Sequence, residues 1–587
     1  MRPRIWRKFA SCLVNTLTLS VLTAGLLPAR AGEISTFVEE FVKSSLALSP
    51  SQATTQGYHE HHGVVLDEQV EDYSPAQIQR ARDFYRHALE QSETLNKTNP
   101  VPEDAADLEI IRLQCESALL ELDRIQSYRH NPTVYVEMIG TAIYAPFVLE
   151  YAPEHRRIEQ IIARLERIPA VIASARHNLE NAPEVWNRVA QGENQGNIDL
   201  IESIRSKVPQ DLRARYDGAA QKALGALKEF NTYLRGDLSK RTNDWRLAKE
   251  VYAQKFRLTL ATGETPRQAL AAAETRLGEI REDMRKQASV VFAKFFSGET
   301  PPHDLDGLVG KVLDKIAQQH TTPANYFDDA KRDLAEATAF VTDRHLLALP
   351  RGGNLQVIPT PEFVRGIYGV GGFAPAPVLQ PELKAYYWIT PFTPDMSTER
   401  VESKLREYNN WGLQILTIHE AMPGHYVQAE YASRIDPKWR GALRAIYGNV
   451  PYVEGWAVYA TELLINQGYV DTPEMRLTFG KQMLRVVANT ILDIKLQTMG
   501  MTDQQALELM IHDTFQEREE AEKKLQRAKL SSCQLPTYFV GWRGWDRVRA
   551  EYEQKLGKDF RLPDFHERAL NEGAVPLPLL ERLLAGK

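Results

Sequence analysis

The chain has 587 residues, 43% hydrophobic and 25% charged, with 71 Lys and Arg against 77 Asp and Glu. This is ordinary globular composition, enough to fill one very large core or two to three domains. With only three cysteines it is no disulfide scaffold, and without a basic tract to offset the acidic balance it excludes a nucleic-acid partner.

Residues 1–31 read as a secretory signal peptide. Arg2, Arg4, Arg7 and Lys8 precede an apolar run from Cys12 to Leu27, and Ala29-Arg30-Ala31 fits a cleavage signal. An N-terminal membrane anchor is the competing reading of this segment. No cysteine follows the run where a lipid anchor would need one, and no later stretch is long and apolar enough to span a bilayer. The expectation is export, to the periplasm or beyond, with no membrane contact once the leader is cut. Without its five basic residues the chain carries 66 Lys and Arg against 77 Asp and Glu, a net of −11. Cys115 and Cys533 then remain and could pair in an oxidising compartment.

His59-Glu60-His61-His62 invites a metal reading, but it sits in a polar stretch without apolar framework and reads as a solvated loop. Beyond it the pattern is helical. Segments 105–128, 155–206, 219–238, 266–297 and 327–347 carry apolar residues at three- and four-residue steps. Thr265-Pro266, Asp436-Pro437 and Thr472-Pro473 each place a capping residue before a helix-starting Pro. Thr502 and Gln505 have capping-box spacing, and no fixed repeat suggests a solenoid. The organisation expected is an N-terminal helical region over 32–300 and a catalytic region over 301–587, together forming one unit.

Residues 348–400 break the pattern. They are rich in Pro, Gly and β-favouring residues and suggest short strands and ordered loops. The glycine-rich GIYGVGGF at 366–373 runs into Ala-Pro-Ala-Pro, not into a helix, and reads as a loop. A strand here, just ahead of the candidate site, is a candidate edge for an extended substrate.

That site is HEAMPGH, residues 419–425. A His followed at once by Glu opens like a zinc-peptidase signature, whose second His lies four residues on. Here it lies six residues on, about 240° around a straight helix, so His419 and His425 could not meet one ion without a bend. Pro423 breaks the ladder and Gly424 permits unusual backbone angles, so the two could supply that bend. The bland reading is a helix end with an exposed His425.

A third ligand is available in PYVEGWAVYATELLINQ, where Glu454 sits among aromatic residues. Core packing asks for no acid there, although a first-turn acid favoured by the helix dipole is the plain alternative. Glu462, about 80° further round, suits a supporting role. Glu420 would be the general base for a metal-bound water. Tyr538, in CQLPTYFVGW, is the candidate oxyanion donor, with a core tyrosine equally consistent with the pattern. Arg485 could bind a substrate carboxylate or sit at the edge of the core.

ATTQGYHEHHG, HEAMPGHYVQ, VEGWAVYATEL, MTDQQALELM and CQLPTYFVGW occur in this order along the chain. In them the sequence resembles the bacterial DUF885 family, over most of its length. The resemblance implies a mainly α, gluzincin-like peptidase fold with a deep cleft. It also implies one Zn2+ held by His419, His425 and Glu454, with Glu420 as base and a peptide as substrate. Tyr426 replaces the second of two consecutive histidines common in the family, and Asp493 stands where His is expected in many members. The rival readings are another metal-dependent amide or ester hydrolase and a non-catalytic helical binding protein with a vestigial site.

Overall fold

The computed structural model describes residues 26–350, 353–361, 365 and 370–586. The expected leader falls outside the described residues up to position 25, and the Leu26–Ala47 helix begins within its last part. Among the described residues no helix is long and apolar enough to cross a membrane.

The chain is mainly helical. Local chemistry starts many of its helices where the sequence marks them. Thr265 caps Pro266–Phe295 in a full capping box with Gln268, Thr472 caps Pro473–Thr498, and Thr502 with Gln505 boxes Asp503–Glu508. Asp436-Pro437 departs from this pattern. The helix there runs Lys438–Ile446 with Pro437 itself at the cap and no side-chain capping bond, so Asp436 does not cap it.

The expected helix over 155–206 is two helices, Glu154–Asn178 and Glu184–Ile204. Between them the backbone leaves the helical ladder. Glu180 N–H donates to Arg129 O (3.0 Å), Ala182 N–H donates to Arg241 O (2.9 Å), and Pro183 starts the second helix.

Two cores result. One lies among Thr133–Val148, Glu154–Asn178, Glu184–Ile204 and Arg213–Arg235, filled by residues such as Ile161, Leu165, Phe230 and Leu234. The larger core joins both halves of the sequence, with Phe41, Tyr252 and Phe292 in the same cluster as Trp456, Leu484 and Trp545. Cys115 and Cys533 are both buried there and are not bonded to each other.

The irregular segment supplies a three-stranded sheet. Central Ala385–Ile389 pairs in parallel with Leu355–Pro359 and antiparallel with Gly371–Ala374, which forms one edge. Residues 366–369 of the glycine-rich stretch lie outside the described residues. The Tyr387 hydroxyl reaches Thr417 Oγ1 (3.1 Å), which ties the sheet to the helix bearing His419. The His59–His62 stretch is a short hairpin, Glu60–His61 with Val64–Val65, and not a solvated loop. His59 bridges Asp67 and Gln380 (3.0 Å each) and stacks on Tyr151, so it closes a tertiary contact.

Candidate metal centre

The helix Asn410–Glu420 opens at Asn409, whose side chain accepts from the N–H groups of Trp411 and Gly412 (3.1 Å each). It ends at Glu420, and a second helix, His425–Ala432, begins five residues later. The link is tight. Gly424 N–H donates back to Ile418 O (3.0 Å), and Met422 N–H donates to Thr417 O (3.2 Å). Pro423, which has no N–H, sits where the ladder is interrupted. A Cβ on Gly424 would lie 1.9 Å from His419 O, so only glycine lets the chain fold against its own preceding turn.

The bend turns His425 back beside His419, with ring centroids 4.9 Å apart and planes at 82°. Glu454, from Val450–Asn466, completes the cluster. Its Oε2 is 3.4 Å from His425 Nε2 and 3.9 Å from His419 Nε2. One ligand atom from each of the three residues lies within 4.8 Å of the other two. Ligands about 2.1 Å from a tetrahedral ion lie about 3.4 Å apart, so the spacing fits a metal.

Hydrogen bonding points the same way. The 3.4 Å approach of His425 lacks hydrogen-bond geometry, and Glu454 Oε2 is buried without a hydrogen-bond partner among the described residues. An orphaned carboxylate oxygen facing two imidazoles is a costly arrangement unless a cation is shared between them. Two imidazoles and a carboxylate are also the donor set of a catalytic divalent metal with one position open.

Tertiary contacts hold each part. Trp456 Nε1 donates to Pro423 O (2.9 Å) and Gly424 O (3.2 Å), pinning the bend to the helix that carries Glu454. At Gly455 that helix crosses Pro536–Leu556, the helix of Tyr538. A Cβ on Gly455 would lie 2.3 Å from the carbonyl carbon of Gly541, and one on Gly541 would lie 2.0 Å from Pro451 O. The glycine pair allows the two backbones to touch, which brings Tyr538 over the cluster, its ring 6.4 Å from that of His419.

The electrostatics separate the acids. Burial pushes the Glu420 carboxyl up to about 7, with the negative Glu454 adding to this and His425 opposing it. The Phe373 backbone, on the edge strand, works against this rise. Burial and the neighbouring His425 lower His419 to about 3, keeping its imidazole neutral as a ligand must be. Burial raises the Tyr538 phenol to about 12. Its oxygen accepts from Arg527 Nη2 and Gln534 Nε2 (3.3 Å each), which leaves the phenolic proton free to donate elsewhere.

These residues open onto a cleft with a cavity of about 590 Å³, walled on one side by the Gly371–Ala374 edge strand. His419, Glu420, His425, Glu454, Tyr538 and Arg485 all line it. Glu462 does not. Its Oε2 accepts from Trp542 Nε1 (2.6 Å), so it braces the Tyr538 helix and offers the cluster nothing directly. Arg485 is held by Tyr408 OH (2.8 Å) and paired with Glu520. Tyr426 donates to Asn354 Oδ1 (2.9 Å) and packs edge-on against Phe373, so it supports the edge strand. Asp493 accepts from Tyr252 OH (2.6 Å) and Cys533 N–H, a buried structural contact.

Sequence reasoning passed over Trp456, Phe373, Gln534, Lys524 and Arg527. The last two lie on Arg518–Leu530, REEAEKKLQRAKL, whose charge density reads as a solvated face. The spacing of Glu520, Lys524 and Arg527 on one helical stripe was the available signal.

A mainly helical protein with a buried His-His-Glu cluster in a deep cleft is thus the class defined by fold and site. The chain belongs to the DUF885 family, described as a bacterial protein of unknown function, which it matches over residues 50–584. A solved structure from Shewanella oneidensis, described as a "putative lipoprotein of unknown function", is 29% identical. It aligns at a TM-score of 0.79, covering 94% of this chain and 99% of that one. A "putative lipoprotein" from Colwellia psychrerythraea shares the fold at TM-score 0.75 and 18% identity, with the same coverage of 94% and 99%. A metallocarboxypeptidase from Trypanosoma cruzi aligns at a TM-score of only 0.37 with 11% identity over 94% and 91% of the two chains, a likeness that carries no weight. The search of curated proteins returned no match.

Proposed function

We propose that this protein is an exported zinc-dependent peptide hydrolase, periplasmic or secreted. One observation carries the reading: His419, His425 and Glu454 converge to ligand spacing around an orphaned carboxylate oxygen, with Glu420 beside them in the cleft. The leader pattern, and relatives described as lipoproteins, support export.

Zinc bound by these three side chains would supply Lewis acidity and a water of lowered pKa. Glu420, poised near neutrality, takes the proton of the attacking water. The water oxygen bonds to the peptide carbonyl carbon, the C–N bond breaks, and Glu420 returns the proton to the departing nitrogen. Tyr538 donates its phenolic hydrogen to the oxygen that gains charge. The Gly371–Ala374 edge strand, which lines the cleft, would offer its free side to an extended peptide.

Metal analysis of the purified protein is the first test. Zinc near one per chain, lost in His425→Ala and Glu454→Gln, is expected. A wild-type protein that takes up no zinc when offered it would sink the reading. Glu420→Gln should keep the metal and lose hydrolysis by about 100-fold or more.

A further inference from the structure

Beside the cluster the cleft presents cations that no carboxylate contacts. Four cations line it: Arg485, Lys523, Lys524 and Arg527. Two of them are matched. Arg485 pairs with Glu520, and Lys523 pairs with Glu519 at 3.2 Å. Deeper in, Glu407 is taken by Lys481 (2.7 Å) and approached by Arg485 (3.9 Å). Lys524 is only 5% exposed and makes no hydrogen bond or ion pair among the described residues. Arg527 likewise has no carboxylate partner there and uses its guanidinium on Gln534 and the Tyr538 hydroxyl. A lysine buried to this degree without a counter-ion is costly to keep charged unless an anion arrives to meet it.

Position narrows the anion. Arg527 lies one hydrogen bond from Tyr538 OH, the group placed at the reacting carbonyl. Lys524 is one helical turn away on the same stripe of Arg518–Leu530. An extended chain advances only about 3.3–3.6 Å per residue, so a carboxylate held this close to the reacting carbonyl belongs to the very next residue. A guanidinium and an ammonium together match a carboxylate well, one as a planar fork and one as a point charge.

Resting on the peptidase reading, we infer that Lys524 and Arg527 recognise the free C-terminal carboxylate of a peptide, so that the protein removes the last residue as a carboxypeptidase. The group bound is a carboxylate one residue beyond the scissile bond. Burial, with Arg485 and Arg527 alongside, pushes the Lys524 ammonium well below its usual range, and an incoming carboxylate reverses that penalty.

The test is a binding measurement joined to a cleavage assay. N-acetyl-Ala-Phe and its C-terminal amide are titrated by calorimetry into zinc-loaded Glu420→Gln protein, with and without Lys524→Met. The acid is expected to bind about 10- to 100-fold tighter than the amide, as for hydrogen bonds to charged groups. Lys524→Met should erase most of that preference, and Lys524→Arg should restore part of it. Equal binding of acid and amide would overturn the inference, as would a preference unchanged in Lys524→Met. In parallel, wild-type protein digests longer peptides read by mass spectrometry. Loss of single C-terminal residues supports the inference, and internal cuts or release of larger C-terminal pieces overturn it. Acid-selective binding without any cleavage would keep the carboxylate site and remove the peptidase reading instead.

Discussion

The indole N–H of Trp456 donates to the carbonyl of Pro423 at 2.9 Å. This one contact joins the break in the His-Glu helix to the helix that provides Glu454, two residues before the indole. The geometry of the His-His-Glu cluster therefore depends on a side chain outside it. Trp456→Phe keeps an aromatic ring in the core but takes the indole donor from Pro423 O and leaves Gly424 O with Gln428 N–H alone. Zinc affinity should fall about tenfold or more, and stability by about 1–3 kcal/mol. A chelator-competition titration with a thermal melt checks both. Unchanged zinc affinity would show that the bend holds without the indole.

Gly424→Ala places a methyl group where His419 O already lies, 1.9 Å from the ideal Cβ. Zinc uptake should be lost and stability should fall by about 3 kcal/mol or more. Gly225 is the contrast. It sits exposed in Arg213–Arg235 with nothing within 4 Å of a built Cβ. Gly225→Ala should stabilise the chain by about 0.5–1 kcal/mol and leave zinc binding alone. Denaturant melts on both variants read the difference.

Tyr538→Phe removes the phenolic hydrogen and keeps the ring beside His419. On any peptide the protein cleaves, kcat should drop about 100- to 1000-fold with zinc content unchanged. A fall in KM-linked binding alone, with kcat preserved, would reassign Tyr538 to substrate packing.

Glu193 gives a pH prediction far from the cluster. On Glu184–Ile204 it is 9% exposed, its Oε2 has no hydrogen-bond partner among the described residues, and burial raises its carboxyl to about 9. The folded state then holds a proton that the unfolded state releases above its ordinary value near 4.5. Stability therefore falls as pH rises from about 4.5 towards 9, by at most about 1.4 kcal/mol per unit from this group. Glu193→Gln should melt higher than wild type at pH 8 and nearly equal to it at pH 5. A parallel pH dependence in the two proteins would refute the assignment.

Much of the site was legible because its chemistry is local in sequence. His419, Glu420, Pro423, Gly424 and His425 fall within seven consecutive positions, and Glu454 stands out as an acid on an aromatic helix. Helix starts at Thr265, Thr472 and Thr502 were legible for the same reason, since a cap and its partner lie three residues apart. Asp436 misled because a Pro that starts a helix and a Pro that precedes one look alike in one dimension. For Glu462 helical phase gave a direction but not what fills it, and Trp542 fills it.

The sequence alone thus determined a helical chain, the identity of the ligand-type residues, and a break between His419 and His425. Short-range rules suffice for these: periodicity, capping, and the missing N–H of Pro423. Only the tertiary structure decided that the break closes the spacing instead of opening it. That outcome rests on contacts between residues far apart in the chain: Trp456 with Pro423, Gly455 with Gly541, and Tyr387 with Thr417. It also decided that Lys524 and Arg527 face inward from a helix whose composition suggests water, because which face of a charged helix is buried depends on what packs against it.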